Sequence, residues 1–109
     1  MKSPLKGISP NKSLPRHSAK RLIHAVNLFC DAPQAKDVSV VGSFNDWQPE
    51  AAPMKKMPDG RWMIHLELHH GHHRYLFLAD GHPMLDPRAQ GAVRDSNRWS
   101  EKASVIAVS

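Results

Sequence analysis

The sequence is poor in cysteine, in aromatic rings and in long apolar runs. One cysteine, Cys30, among 109 residues excludes an internal disulfide, and small extracellular domains commonly depend on several. No apolar stretch approaches the roughly 18 residues that a membrane-crossing helix needs. The lysines near the N-terminus have no apolar run behind them, as a secretory signal would. These absences predict a cytoplasmic protein with no membrane insertion. Catalytic constellations are missing too: there is no Gly-x-Ser-x-Gly elbow, no phosphate-binding glycine loop and no His-Glu-x-x-His. His65-Leu66-Glu67 imitates the opening of a zinc-deaminase motif, but without its paired cysteines. A glycosidase needs two carboxylates held across a cleft, and the nearest candidates, Asp80 and Asp86, fall in turns where aspartate caps backbone N–H groups. No enzymatic activity and no cofactor are expected.

Acidic residues are absent from the first 21 positions, which carry Lys2, Lys6, Lys12, Arg16, Lys20 and Arg21, a charge of +6. The other 88 residues hold nine basic and ten acidic side chains, so the excess charge of the chain lies in this segment. With Pro4, Pro10 and Pro15 and few large apolar residues, it buries too little surface to offset its ordering entropy. Residues 1–21 are therefore expected to be a disordered basic tail, with electrostatic contact to an anionic surface as its functional reading. No aromatic residue is interleaved with the charges, so base stacking has no support.

From residue 22 onward, short apolar segments alternate with turn signals. Leu22–Cys30 alternates loosely before Asp31-Ala32-Pro33, and Val38-Ser39-Val40-Val41 is a β-branched run ending at Gly42. After the turn Asp59-Gly60, Arg61–Leu68 alternates cleanly, with Trp62, Ile64, Leu66 and Leu68 on one face. A glycine-centred link, His69-His70-Gly71-His72-His73, reads as a hairpin into Arg74–Ala79. The turn Asp80-Gly81, a segment Pro83–Leu85 and a last strand Ala103–Val108 follow. Six or seven short strands indicate an all-β sandwich over residues 22–109. Its expected core is Val38, Val40, Phe44, Trp62, Ile64, Leu66, Tyr75, Phe77 and Val105. A domain this small has little room for a deep pocket, so a ligand is expected to meet a surface.

Val38-Ser-Val-Val-Gly42-Ser-Phe44-Asn45-Asp46-Trp47 is similar to the signature strand and turn of family-48 carbohydrate-binding modules. These include the glycogen-binding domain of the AMP-activated protein kinase β subunit and the N-terminal early-set domains of isoamylases and branching enzymes. Asp59-Gly60-Arg61-Trp62, Leu66-Glu67-Leu68, Gly71, Tyr75, Phe77, Asp80-Gly81 and Asp86-Pro87 follow in the family's order. The resemblance implies an immunoglobulin-like, early-set β-sandwich that binds α-glucan such as glycogen or maltooligosaccharide. Trp47, on the Phe-Asn-Asp turn with Asn45, is the implied stacking ring. Its alternative is a ring folded back over the sandwich end. Trp62, in register with apolar neighbours, belongs to the core.

Several implied contact positions are altered. The second stacking tryptophan of the kinase subunits is replaced by Pro83, and the lysine after the strand tyrosine by Leu76. Ala103 stands at the position of a sugar-contacting asparagine, with Asn97 close by. Trp99 in the same segment is either a second platform or a plug at the core edge. Leu76 and Leu78 would form an exposed apolar patch. The preferred function is therefore non-catalytic α-glucan binding, and the alternative an early-set domain that has lost sugar binding and contacts a protein partner. His69, His70, His72 and His73, with His65 and His82 nearby, read as a solvated turn, with weak metal binding or a pH-sensitive contact as alternatives and no structural metal site.

Overall fold

A computed structural model of the protein describes residues 23–109. The expectation of a disordered tail over residues 1–21 lies outside the described residues. Eight strands run in chain order: β1 (Ile23–Asp31), β2 (Val38–Gly42), β3 (Lys55–Lys56), β4 (Arg61–His69), β5 (Gly71–Ala79), β6 (His82–Met84), β7 (Gly91–Arg94) and β8 (Lys102–Val108). They form two antiparallel sheets, β1-β4-β3 and β2-β5-β8-β7. Strand β5 pairs with β2 along one edge. Along the other it pairs first with β8 and then with β6. The fold is the all-β sandwich that the alternation predicts, and it agrees with the early-set type that the resemblance implies.

Register decides which side chains form the core. Strand β4 pairs with β1 through Cys30↔Trp62, Leu28↔Ile64 and Val26↔Leu66, and these six face the second sheet. That sheet answers with Val38, Val40, Tyr75 and Phe77, and Ala52 and Met54 close one side. Phe44, Ile64 and Leu66 pack against this cluster while only partly buried. Trp62 is a core residue as expected, and its indole N–H is satisfied by donating to the Ala32 carbonyl at 2.9 Å. Val105 is not in the core. Pairing of Tyr75 with Ser104 and of Arg74 with Val105 turns Val105 to the outer face, and Ile106 packs inward instead.

The histidine-rich link is not a hairpin. Strands β4 and β5 belong to different sheets, and the chain crosses between them at Gly71, whose φ of +130° disfavours any residue with a Cβ. His73 completes the crossover, its ring N–H donating to the His69 carbonyl at 2.7 Å. Gly42 is needed for a different reason. A Cβ there would lie 2.5 Å from the Arg74 carbonyl oxygen and 2.7 Å from the Phe44 ring.

One polar cluster is buried in the sandwich. Tyr75 donates its hydroxyl hydrogen to Asp86 at 2.6 Å, the Asp86 N–H donates to the Ser104 hydroxyl oxygen, and Arg88 N–H donates to the second Asp86 oxygen at 2.8 Å. Every buried polar side-chain atom among the described residues has a partner.

Two predictions follow from burial. Trp62→Ala removes a ring only 6% exposed together with its hydrogen bond, and should cost about 3–5 kcal/mol in a chemical denaturation measurement. Burial, aided by Asp86 and Asp31, pushes the Cys30 thiol from 9.0 up to about 11, and burial with the Asp86 bond pushes the Tyr75 phenol up as well. Below pH 9.0 folded and unfolded chains both keep the thiol protonated. Above it, the unfolded chain loses a proton that the folded chain retains, so stability falls with rising pH. Urea titrations should show a loss on the order of 1–3 kcal/mol between pH 9 and 11, with a shallower slope in Cys30→Ala.

Candidate functional site

The outer face of the larger sheet carries apolar side chains that water should not reach. Val41 on β2 lies opposite Leu76 on β5, and Leu78 lies opposite Ser39 on one side and Pro83 on the other. Yet Val41, Leu76 and Leu78 are 0%, 1% and 3% exposed. Trp47 and Trp99 cover them, each partly buried against this second apolar cluster. The exposed patch expected of Leu76 and Leu78 does not exist, because two indoles lie over it. Four consecutive large apolar residues, Tyr75-Leu76-Phe77-Leu78, carried this information, since a strand apolar on both faces needs cover on both faces.

Trp47 reaches this position through a strained turn. Asp46 and Trp47 have φ of +55° and +58°, a left-handed conformation costing about 1–3 kcal/mol for such residues. The turn is tied down by its neighbours. Asn45 accepts from Gly42 N–H and donates to the Val40 carbonyl, both at 3.0 Å. The Trp47 N–H donates to the Gly42 carbonyl, also at 3.0 Å. The Asn45 carboxamide, a candidate sugar contact, is thus engaged in holding the loop.

Trp99 is anchored in a similar manner. Asn97 accepts from the N–H groups of Trp99 and Ser100 and donates to the Asp95 carbonyl at 2.8 Å. The Trp99 indole N–H donates to the Trp47 carbonyl at 3.0 Å, and the Arg98 guanidinium stacks on the Trp99 ring at 4.7 Å. Beside Trp99 opens a cleft of about 370 Å³, lined also by Leu78, Ser39, Pro49, Glu50 and Pro53 among others. Of the sequence candidates, Trp47, Trp99 and Leu76 come together, with Leu76 beneath the rings. Asn45 and Asn97 stand behind them as loop ties. Pro83 is exposed on β6 and reaches the site only through Leu78 opposite. Ser39, Pro49, Glu50 and Pro53 were not anticipated, and the irregular segment that supplies three of them has no periodicity that would have marked it.

The other candidate groups have structural work. Asp80 accepts from the N–H groups of Lys36 and Asp37, at 2.9 Å each, bonds that hold its carboxyl below the usual range. No group of three or more His, Cys, Asp or Glu side chains is placed to share a metal ion among the described residues. No described helix is long and apolar enough to cross a membrane.

The chain is thus a small antiparallel β-sandwich with two tryptophans gathered on the outer face of one sheet. The family model described as the glycogen recognition site of AMP-activated protein kinase matches residues 29–108, and the chain belongs to that carbohydrate-binding family. It is 35% identical over 95 residues to the 1,4-alpha-glucan branching enzyme GlgB 2 of Xanthomonas campestris pv. campestris, an alignment covering 84% of this chain and 13% of that enzyme. It is 42% identical over 41 residues to the 1,4-alpha-glucan-branching enzyme of Felis catus, covering 36% of this chain and 6% of that enzyme. The chain thus corresponds to a small part of the length of these relatives.

Because Trp47 covers Val41, Leu76 and Leu78, it contributes to stability as well as to the surface. Trp47→Ala should cost about 2–4 kcal/mol in denaturant, more than the fraction of a kcal/mol expected of a fully exposed ring.

Proposed function

We propose that this domain binds an α-1,4-glucan, glycogen or a maltooligosaccharide, without acting on it chemically, through the face formed by Trp47 and Trp99. The observation that carries the reading is the gathering of these two indoles over one sheet face, with Trp99 lining an open, largely apolar cleft. A pyranose ring presents C–H groups that an indole covers well, and each ~50 Å² removed from water contributes about 1 kcal/mol. Ser39 and the carboxylates of Asp37 and Glu50 at the cleft offer partners to sugar hydroxyls. Such bonds compete with water and add about 1 kcal/mol each. The sum is a weak site, with dissociation constants from tens of micromolar to millimolar, or about −4 to −6 kcal/mol.

Membership of the glycogen-recognition family and likeness to branching enzymes, whose names state a 1,4-alpha-glucan substrate, support the same ligand class. The alternative, a protein-interaction module without sugar binding, drew on Leu76 and Leu78 as an exposed patch. Their burial beneath the indoles leaves it without that basis.

Native gel electrophoresis tests the proposal. Glycogen in the matrix should retard the protein, a β-1,4-glucan matrix should not, and Trp47→Ala, checked for folding by circular dichroism, should migrate without retardation. Equal mobility of the folded wild-type protein with and without glycogen would overturn the reading.

A further inference from the structure

Trp47 occupies a backbone conformation that tryptophan rarely adopts, directly after Asp46 in the same left-handed region. Two consecutive residues there require support from both sides. On the N-terminal side, the Asn45 carboxamide and the Trp47 N–H fasten the turn to the end of β2. On the C-terminal side, the Gln48 N–H donates to the Asn45 carbonyl at 3.1 Å, and the Gln48 side chain reaches the Asp46 carbonyl at 3.4 Å. The closer bond comes from far along the chain: the Trp99 indole N–H, on the Trp47 carbonyl at 3.0 Å across 52 residues.

We infer that Trp99 is a positioning residue for Trp47, its indole N–H holding the Asp46-Trp47 backbone in the left-handed conformation and thereby fixing the ring's orientation. Trp99 is equipped for this. Its own N–H is held by the Asn97 carboxamide, its ring packs on the same Val41-Leu76-Leu78 cluster, and Arg98 stacks upon it. These contacts fix the indole on three sides, so that its N–H points at one carbonyl. A ring of similar size without the N–H would still cover the apolar cluster but would release that carbonyl. The consequence for sugar binding rests on the reading of Trp47 as the stacking platform. The backbone consequence does not.

The variant Trp99→Phe separates the two, since it keeps an aromatic cover and deletes the donor. In isotope-labelled protein, the Trp47 Cα chemical shift should move away from its left-handed value. The glycogen dissociation constant should rise about tenfold, the scale of one lost hydrogen bond. Adding Asp46→Gly, which removes the strain at one of the two positions, should recover a substantial part of that loss. A merely space-filling Trp99 would show no such rescue. An unchanged Trp47 shift in Trp99→Phe, with affinity within about twofold of wild type, would overturn the inference. If wild type ignores glycogen, the sugar reading falls and the chemical shift alone decides the positioning role. If Trp99→Phe fails to fold, hydrogen exchange of the Trp99 indole in wild type decides it: slow exchange supports the bond, and exchange at the free-indole rate overturns it.

Discussion

Strand β5 is buried on both faces, and most of the structure is arranged to make that possible. Tyr75 and Phe77 point into the sandwich, and Leu76 and Leu78 point out of it. All four are at most 3% exposed. The inner pair is covered by the first sheet through Trp62, Leu28 and Cys30. Among the described residues no third sheet covers the outer pair, and leaving two leucines and Val41 in water would forgo several kcal/mol of burial. Two loops distant in sequence therefore fold over the sheet, and each lays down an indole.

This dual role changes what the tryptophans mean. A ring displayed only for a ligand is free to vary without cost to folding. Trp47 instead accepts an unfavourable backbone conformation of about 1–3 kcal/mol because the apolar surface that it covers, with its hydrogen bonds, outweighs that strain. Trp99 is linked to it by an indole N–H bonded to a carbonyl. The two rings act as one lid over Val41, Leu76 and Leu78.

Much of the fold was legible because half-buried strands leave a period of two. Arg61–Leu68 alternated so clearly that its inward face, and Trp62 as a core residue, followed directly. Strands β3 and β7 escaped for the same reason in reverse. Lys55-Lys56 is exposed throughout, and Gly91–Arg94 places only Val93 below full exposure, so edge pairing was their sole cause and composition gave no sign of it. Val105 was misplaced by one register step, which in a strand exchanges the faces. The histidine link was misread because a glycine between two strands looks the same whether the strands pair or cross between sheets. In the site, Trp47 and Trp99 were named from the sequence, but Leu76 was assigned to the surface. Alternation had been assumed for a strand whose four consecutive apolar residues contradict it.

The departures at Pro83 and Leu76 can now be weighed physically rather than as missing contacts. Leu76 lies beneath the indoles, so a lysine there would have to extend its ammonium out past them or remain buried at a heavy cost. Trp99, stacked with Arg98 and bonded to Trp47, completes the cover over Leu76 here. Pro83, across β5 from Ser39 and opposite Leu78, leaves β6 without a ring at that position. Replacing a tall ring there by a proline on β6, while adding one at position 99, moves the aromatic bulk of the face toward the loop that carries Asn97.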